Sequence, residues 1–356
     1  MCTGLLRTGQ ALWWKGLEPV ARILSHPGVN RGPSKRGTDS IRDRRQIHPP
    51  LGLGGKFARR VPYMNDVLIR GVFPESSIRF AVCSADGLCS HAVHIHGADR
   101  LSGWLLSEAL VCSALLSTTL KHGEKITLRW MYDGAVGTIL ADMTEASEVR
   151  GFTQRKRLLP EVETLAAATG ITGKITAVTS TPTERLRTGI TESVYQNVPR
   201  DLAFFLSLSF QVETALAVGL VMPQRERAEV ASALGLMLQP MPGCEPSRFE
   251  KARQSMEHLR FQTWLEEGAH PLEAVLAQVG LDETANIYSE TRPLYSCQCS
   301  RNKADTVLRM FDPLELREML ESDGQAEVNC HFCATRYVFS GGELQVILGQ
   351  SQAGNA

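Results

Sequence analysis

At 356 residues the chain exceeds one ordinary domain, and 43% hydrophobic with 21% charged residues excludes a wholly disordered polymer. The formal charge is zero, yet residues 1–63 hold 12 Lys and Arg against 3 Asp and Glu, leaving 26 against 35 elsewhere. An acidic body argues against nucleic-acid binding as the main activity, because phosphate contacts need concentrated Lys and Arg.

Residues 1–63 contain Gly/Pro/Arg-rich runs such as His26-Pro27-Gly28, Arg31-Gly32-Pro33 and Pro49-Pro50, without sustained periodicity. The expectation is a disordered basic extension, or sequence upstream of a true start at Met64. Its Arg-rich, acid-poor composition also suits an organellar transit peptide. From Met64 to about Gly243 both hydrophobic periods occur. Ile78–Val82 alternates as a strand, and Gly87–His96 reads as a short helix that Gly97 ends in a left-handed cap. Leu101–Leu120 is a largely apolar, buried helix. Ile126–Met131 and Val136–Leu140 are strand-like runs either side of Asp133-Gly134, a hairpin signal. Gly173–Thr179 and Thr188–Tyr195 form a second pair around Thr181-Pro182-Thr183, and Pro199–Phe210 has helical length. Gly235–Gln239 is a last short strand, stopped by Pro240 and Pro242. Hairpins mixed with helices, without βαβ alternation, predict an α+β domain.

Residues 245–293 are charged and carry only a narrow apolar stripe. Phe249–Glu267 reads as an amphipathic helix with Phe249, Ala252, Met256, Leu259 and Leu265 near one face, and Pro271–Val279 as a shorter helix closed by Gly280. Such helices depend on what they pack against, so this segment is a metastable linker.

Nine cysteines are spread over the chain: Cys2, Cys83, Cys89, Cys112, Cys244, Cys297, Cys299, Cys330 and Cys333. The odd count, the wide spacing and the expected lack of a signal peptide argue for a reducing compartment with a metal or redox site. The longest apolar stretch, around Trp104–Leu120, is interrupted by Ser107, Glu108, Ser113 and Ser117-Thr118-Thr119. It is too short and too polar for a bilayer span, so a soluble protein without a membrane partner is expected.

The strongest chemical signal is Cys297-Gln298-Cys299, then 30 residues, then Cys330-His331-Phe332-Cys333. Zinc takes four soft ligands tetrahedrally, and two cysteines close in sequence supply two corners from one tight loop. Cys297, Cys299, Cys330 and Cys333 are thus the expected ligands of one Zn2+ per chain. Residues 294–349 are few for an independent core, and structural zinc contributes about 10–16 kcal/mol to folding such a module. Four thiolates leave no position for a catalytic water, and no His-x-Glu precedes a Pro-Cys-x-x-Cys as in the cytidine deaminases. His331 is an alternative ligand, set aside because four sulfurs already satisfy the metal. His91, His94 and His96 are expected on a helix surface, with protonated His96 facing the helix C-terminus.

These residues, followed by Tyr337-Val338-Phe339, resemble the zinc domain of the thirty-three-kilodalton heat-shock proteins. The resemblance runs through Leu115-Leu116-Ser117-Thr118-Thr119-Leu120-Lys121, Val149-Arg150-Gly151 and Gly235-Leu236-Met237-Leu238-Gln239-Pro240-Met241-Pro242, covering roughly residues 64–349. The chain departs from the family pattern in three places. Asn302-Lys303 replaces a common Glu-Arg, Ala334 a usual Gly, and Ser209-Phe210-Gln211 a Ser-Glu-Gln. The expected organisation is α+β: an extension over 1–63, a mixed hairpin-and-helix chaperone core over 64–243, a helical linker over 244–293 and a small zinc domain over 294–349.

What the resemblance implies is a redox-regulated holdase chaperone, not an enzyme, with unfolded or partly folded proteins as clients. It implies disulfides Cys297–Cys299 and Cys330–Cys333 after oxidation, a homodimer in that state, and a cytoplasmic location unless residues 1–63 direct the chain to an organelle. The residues support this, since thiolates are what oxidants attack. No Gly-x-x-x-x-Gly-Lys-Ser/Thr loop is present, so no ATP site is expected. The rivals are a zinc ribbon in which the metal is only a staple, a zinc-ribbon nucleic-acid factor, and a thiol oxidoreductase using Cys330-x-x-Cys333. The last would need a thioredoxin-like βαβ setting.

Overall fold

Helix α2 (Arg100–Ser117) organises the main body, because its sequence is apolar on every side and Leu105 through Ser117 are all buried. The structure, a computed structural model, describes residues 66–181, 187–223, 228–257, 259, 272–281 and 283–353. The expectations placed on residues 1–63, Met64, Pro182-Thr183 and Leu265 fall outside these residues. Asp99 caps α2 by accepting from the Ser102 amide, and Ser107 and Ser113 return their hydroxyls to the carbonyls of Gly103 and Ala109 at 2.7 Å. The helix stops short of Leu120. There the Thr118 and Thr119 hydroxyls donate to the carbonyls of Leu115 and Leu116, satisfying acceptors that further turns would have used.

Two sheets enclose α2. The first joins β1 (Val67–Phe73), β2 (Ile78–Ser84), β8 (Ala215–Val221), β9 (Ser232–Pro240) and β10 (Asn286–Thr291) in the order β10-β1-β2-β9-β8, antiparallel throughout. The second joins β3 (Lys125–Tyr132), β4 (Thr138–Thr144), β5 (Glu148–Thr153), β6 (Gly173–Ser180), β7 (Arg187–Glu192) and the two-residue β11 (Leu294–Tyr295) in the order β11-β5-β4-β3-β6-β7. Helices α1 (Asp86–His96), α3 (Leu165–Thr169) and α4 (Val198–Ser209) complete this body. Gly97 ends α1 with φ 56°, the left-handed cap read from the sequence.

The far face of the first sheet has its own core. Ile69, Phe73, Ile78, Phe80, Leu236 and Leu238 pack with Phe249, Ala252 and Met256 of α5 (Pro246–Glu257). Val275, Leu276 and Val279, at and just beyond α6 (Leu272–Ala277), close it. The expected stripe Phe249, Ala252, Met256 is thus the face that α5 buries, with Leu259 partly buried beside it. The following strand β10 lies on the edge of β1, a pairing the sequence did not suggest.

The C-terminal residues build a third core between the hairpin β12 (Gln325–Asn329)–β13 (Arg336–Ser340) and the helices α7 (Arg301–Leu308), α8 (Pro313–Asp323) and α9 (Gly341–Ala353). Asp312 and Glu315 form a capping box at the start of α8, and Gly324 ends it at φ 65°.

The hairpin expected at Asp133-Gly134 exists between β3 and β4, but not as a two-residue turn. Its left-handed residue is Gly137, with φ 69°. Asp133 instead accepts from the amides of Ile171 and Thr172 and from the Thr172 hydroxyl, tying this loop to the one before β6. A Cβ on Gly134 would lie 2.4 Å from the Gly170 nitrogen, so this glycine serves close approach.

Gly151 in β5 sets the spacing between the second sheet and α2. A Cβ there would stand 2.7 Å from the Leu140 carbonyl oxygen and 3.3 Å from the Leu110 side chain. Gly151→Ala is expected to cost about 1–3 kcal/mol through overpacking. Circular dichroism melting should show this as a fall of several degrees, at roughly 2–4 °C per kcal/mol.

Candidate metal centre

The first knuckle is delivered by β11, which lies parallel to β5 with Leu294 opposite Glu148 and Tyr295 opposite Val149. The amides of Leu294 and Ser296 donate to the carbonyls of Ser147 and Val149, each at 3.0 Å. Cys297, Gln298 and Cys299 follow at once. Ser300 then caps α7 by accepting from the Lys303 amide, so Cys299 stands between a strand and a helix start. The second knuckle is the loop between β12 and β13. The Cys330 amide donates to the Thr335 carbonyl and the Ala334 amide to the Cys330 carbonyl, both at 2.9 Å. This turn requires φ 56° at Ala334.

The two loops bring the four cysteine sulfurs within 4.8 Å of one another. Cys297 and Cys330 are 3.7 Å apart, and Cys299 and Cys333 are 3.3 Å apart. A tetrahedron with Zn–S distances near 2.3 Å has sulfur–sulfur edges of about 3.8 Å, so the cluster has the size and the soft donor set of a closed zinc site. His331 is not in the cluster; its ring lies against Phe152, with centroids 5.3 Å apart. The strands here are an antiparallel hairpin and not a βαβ unit, so the thioredoxin-like setting is absent from the described residues of the module.

The surroundings supply donors to sulfur. Tyr337 donates its hydroxyl to the Cys299 sulfur at 3.1 Å, and the Thr335 hydroxyl lies 3.1 Å from the Cys333 sulfur. Arg150 donates from Nη1 to the Cys297 sulfur at 3.7 Å. Burial pushes the thiols of Cys297, Cys299 and Cys330 up, the last to about 11. Burial also opposes ionisation of Cys333, but Thr335 and the neighbouring cysteines outweigh it and hold that thiol at about 7. A bound divalent cation favours the thiolate at all four positions.

The whole site sits on β5. Phe332, between Cys330 and Cys333, packs edge-on against Phe152 at 5.2 Å and lies under the Arg150 guanidinium at 4.0 Å. The Tyr295 hydroxyl contacts the carbonyls of Gly151, at 2.9 Å, and Phe332. His96 Nε2 joins this network, 3.0 Å from the Gly151 carbonyl and 3.2 Å from the Tyr295 hydroxyl. The expectation of three surface histidines on α1 is therefore corrected at one position. His91 and His94 are exposed, whereas His96 is 6% exposed and lies under the metal-centre module. Nor is it positive: burial first, then Lys156 and His91 nearby, bring its pKa down to about 4. The residues that seat the site, Arg150, Phe152, Tyr295 and Tyr337, carried no metal-ligand spacing. Arg150 and Tyr337 surfaced only within the family-like segments.

Two expectations follow from this geometry. Ala334→Gly removes the cost of a left-handed residue bearing a Cβ, about 1–2 kcal/mol, less the added freedom of glycine in the unfolded chain. A chelator-competition titration should show metal held several-fold more tightly. His96 is neutral when folded and protonates near 6.5 when unfolded, so its contribution is complete above about pH 6.5 and is lost as pH falls toward about 4. The difference between wild type and His96→Gln in urea stability should narrow by up to about 3 kcal/mol across that window.

Known proteins extend this picture. A family model described as Hsp33 protein matches residues 66–340. The 33 kDa chaperonin of Levilactobacillus brevis is 27% identical over 296 residues, covering 82% of this chain and 100% of the relative. That of Bacillus subtilis is 26% identical over 294 residues, covering 80% and 99%. The crystal structure of the 33 kDa chaperonin (heat shock protein 33 homolog) of Thermotoga maritima superposes with a TM-score of 0.73 at 24% identity, over 81% of this chain and 99% of that one, and supports the α+β fold. With a family match over most of its length and a four-cysteine cluster where the family-like segments lie, this chain belongs to the Hsp33 family, a family of chaperones and not of enzymes.

Proposed function

We propose that this chaperone is an ATP-independent holdase switched by oxidation of Cys297, Cys299, Cys330 and Cys333, which in the reduced protein hold one zinc ion. The observation that carries the reading is the convergence of four sulfurs within 4.8 Å on two loops that are seated together on β5. Zinc, when bound, stabilises the four thiolates and closes the small module around them.

The remaining steps belong to the chain. A peroxide converts one thiolate to a sulfenic acid, and the neighbouring thiolate displaces hydroxide from it to form a disulfide. Each peroxide takes two electrons from one cysteine pair and leaves two hydroxide ions. The family resemblance implies Cys297–Cys299 and Cys330–Cys333 as the pairs. Disulfide formation withdraws the sulfurs from the ligand set and loosens both knuckles from β5. The linker over 244–293 follows, because β10 leads through two residues into β11. The apolar face that α5 covers then becomes available to unfolded or partly folded clients, and to a second oxidised copy. The acting form works in the cytoplasm, without nucleic acid or membrane.

Metal analysis of the reduced chain should give one zinc per chain, with X-ray absorption showing only sulfur neighbours. Peroxide treatment should release the metal and, over the same time course, confer suppression of client aggregation. If oxidised, metal-free protein still fails to hold clients, the cysteines are a staple only.

A further inference from the structure

The Arg150 side chain reaches from the main body to both knuckles. On the first it donates to the Cys297 sulfur at 3.7 Å. On the second its guanidinium carbon stands 4.0 Å above the Phe332 ring, between ligands Cys330 and Cys333. Its other side is fixed. Nε and Nη2 donate to Asp142 Oδ2 at 3.0 and 2.7 Å, and Thr127 donates its hydroxyl to Asp142 Oδ1 at 2.7 Å. The guanidinium is therefore aimed by β4 and β3 while it is carried by β5, and it is only partly exposed. A carboxylate on one edge, a sulfur on another and an aromatic face below use the planar fork in a way an ammonium does not.

Charge gives this arrangement a direction. Four thiolates around a divalent cation carry a net charge of −2, so the filled centre attracts the guanidinium beside it. Disulfides and neutral thiols carry no charge. We propose that Arg150 is the positioning residue that couples the filling of the four-cysteine centre to docking of the C-terminal module on β5. With the metal bound, Arg150 holds the Cys297 and Phe332 loops to the body. Once the thiolates are gone, it keeps Asp142 but loses the charged partner that drew both loops in. This inference rests on the reading of the cysteines as a zinc centre and adds the route by which the body senses it.

The test uses reduced, zinc-loaded full-length protein, as wild type, Arg150→Gln and Arg150→Lys. Two readouts are taken: the rate of zinc transfer to a colorimetric chelator, and hydrogen exchange at the Leu294 and Ser296 amides, which donate to β5. In wild type, chelation should raise exchange at both amides. Zinc-loaded Arg150→Gln should already exchange there about tenfold faster, the scale of one lost charge-assisted contact. It should give up zinc correspondingly faster, and change little on chelation. Arg150→Lys should fall between, because a cation remains but the fork does not. The proposal is overturned if Arg150→Gln matches wild type in both readouts, or if chelation shifts it as far as it shifts wild type. Should Arg150→Gln fail to fold by circular dichroism, Arg150→Lys decides alone: faster zinc transfer than wild type supports the coupling, and an equal rate ends it. Failure of the underlying reading looks different, since wild type would then hold no zinc or show no response to chelation.

Discussion

The constraint on which the C-terminal third depends is that two loops, 30 residues apart in sequence, present four sulfurs to one another at close range. Four thiolates so crowded repel, and burial raises the cost of ionising each of them. A soft divalent cation, as proposed for this centre, would turn that repulsion into attraction and supplement a core limited to Ala304, Leu308, Leu316, Met319, Ala326, Val328, Phe339, Leu344, Ile347 and Leu348. Chemistry that removes the thiolates removes the reason for the loops to meet. On the proposed reading the same groups are at once structural and reactive.

How far this reaches into the rest of the molecule depends on β5. Gly151 is wedged on α2, its carbonyl is contacted by Tyr295 and His96, and its neighbours Arg150 and Phe152 hold the second knuckle. The seat therefore joins rigid core to conditional module within three residues. None of the four cysteines is among the residues of the main core around α2.

Much of this was legible in the sequence, and the exceptions have physical causes. The clustering of the four cysteines was readable from spacing, since two closely spaced pairs supply two corners each of one site. The apolar helix over Leu101–Leu120, the stripe of α5 and the pairs β3–β4 and β6–β7 were readable from periodicity. Strands β1 and β8 were missed because Leu68, Ile69, Val72 and Phe73, or Ala215 through Val221, lack the alternation of a half-buried strand. Strands β10 and β11 are short and largely exposed, and are ordered by the edges they meet rather than by their own pattern. His96 was misplaced because it packs against residues distant in sequence, Gly151 and Tyr295, which no local period records.

Strand β1 is bordered by β10 and β5 by β11, and Arg292 and Pro293 are all that separates those two short strands. One brief stretch of chain therefore shields a border of each sheet. Peeling it away would leave two rows of peptide N–H and C=O groups without partners. Such borders recognise main chain rather than side chains, and so accept almost any extended polypeptide. Because Arg292 and Pro293 alone join the two short strands, the two borders are covered together by one continuous segment.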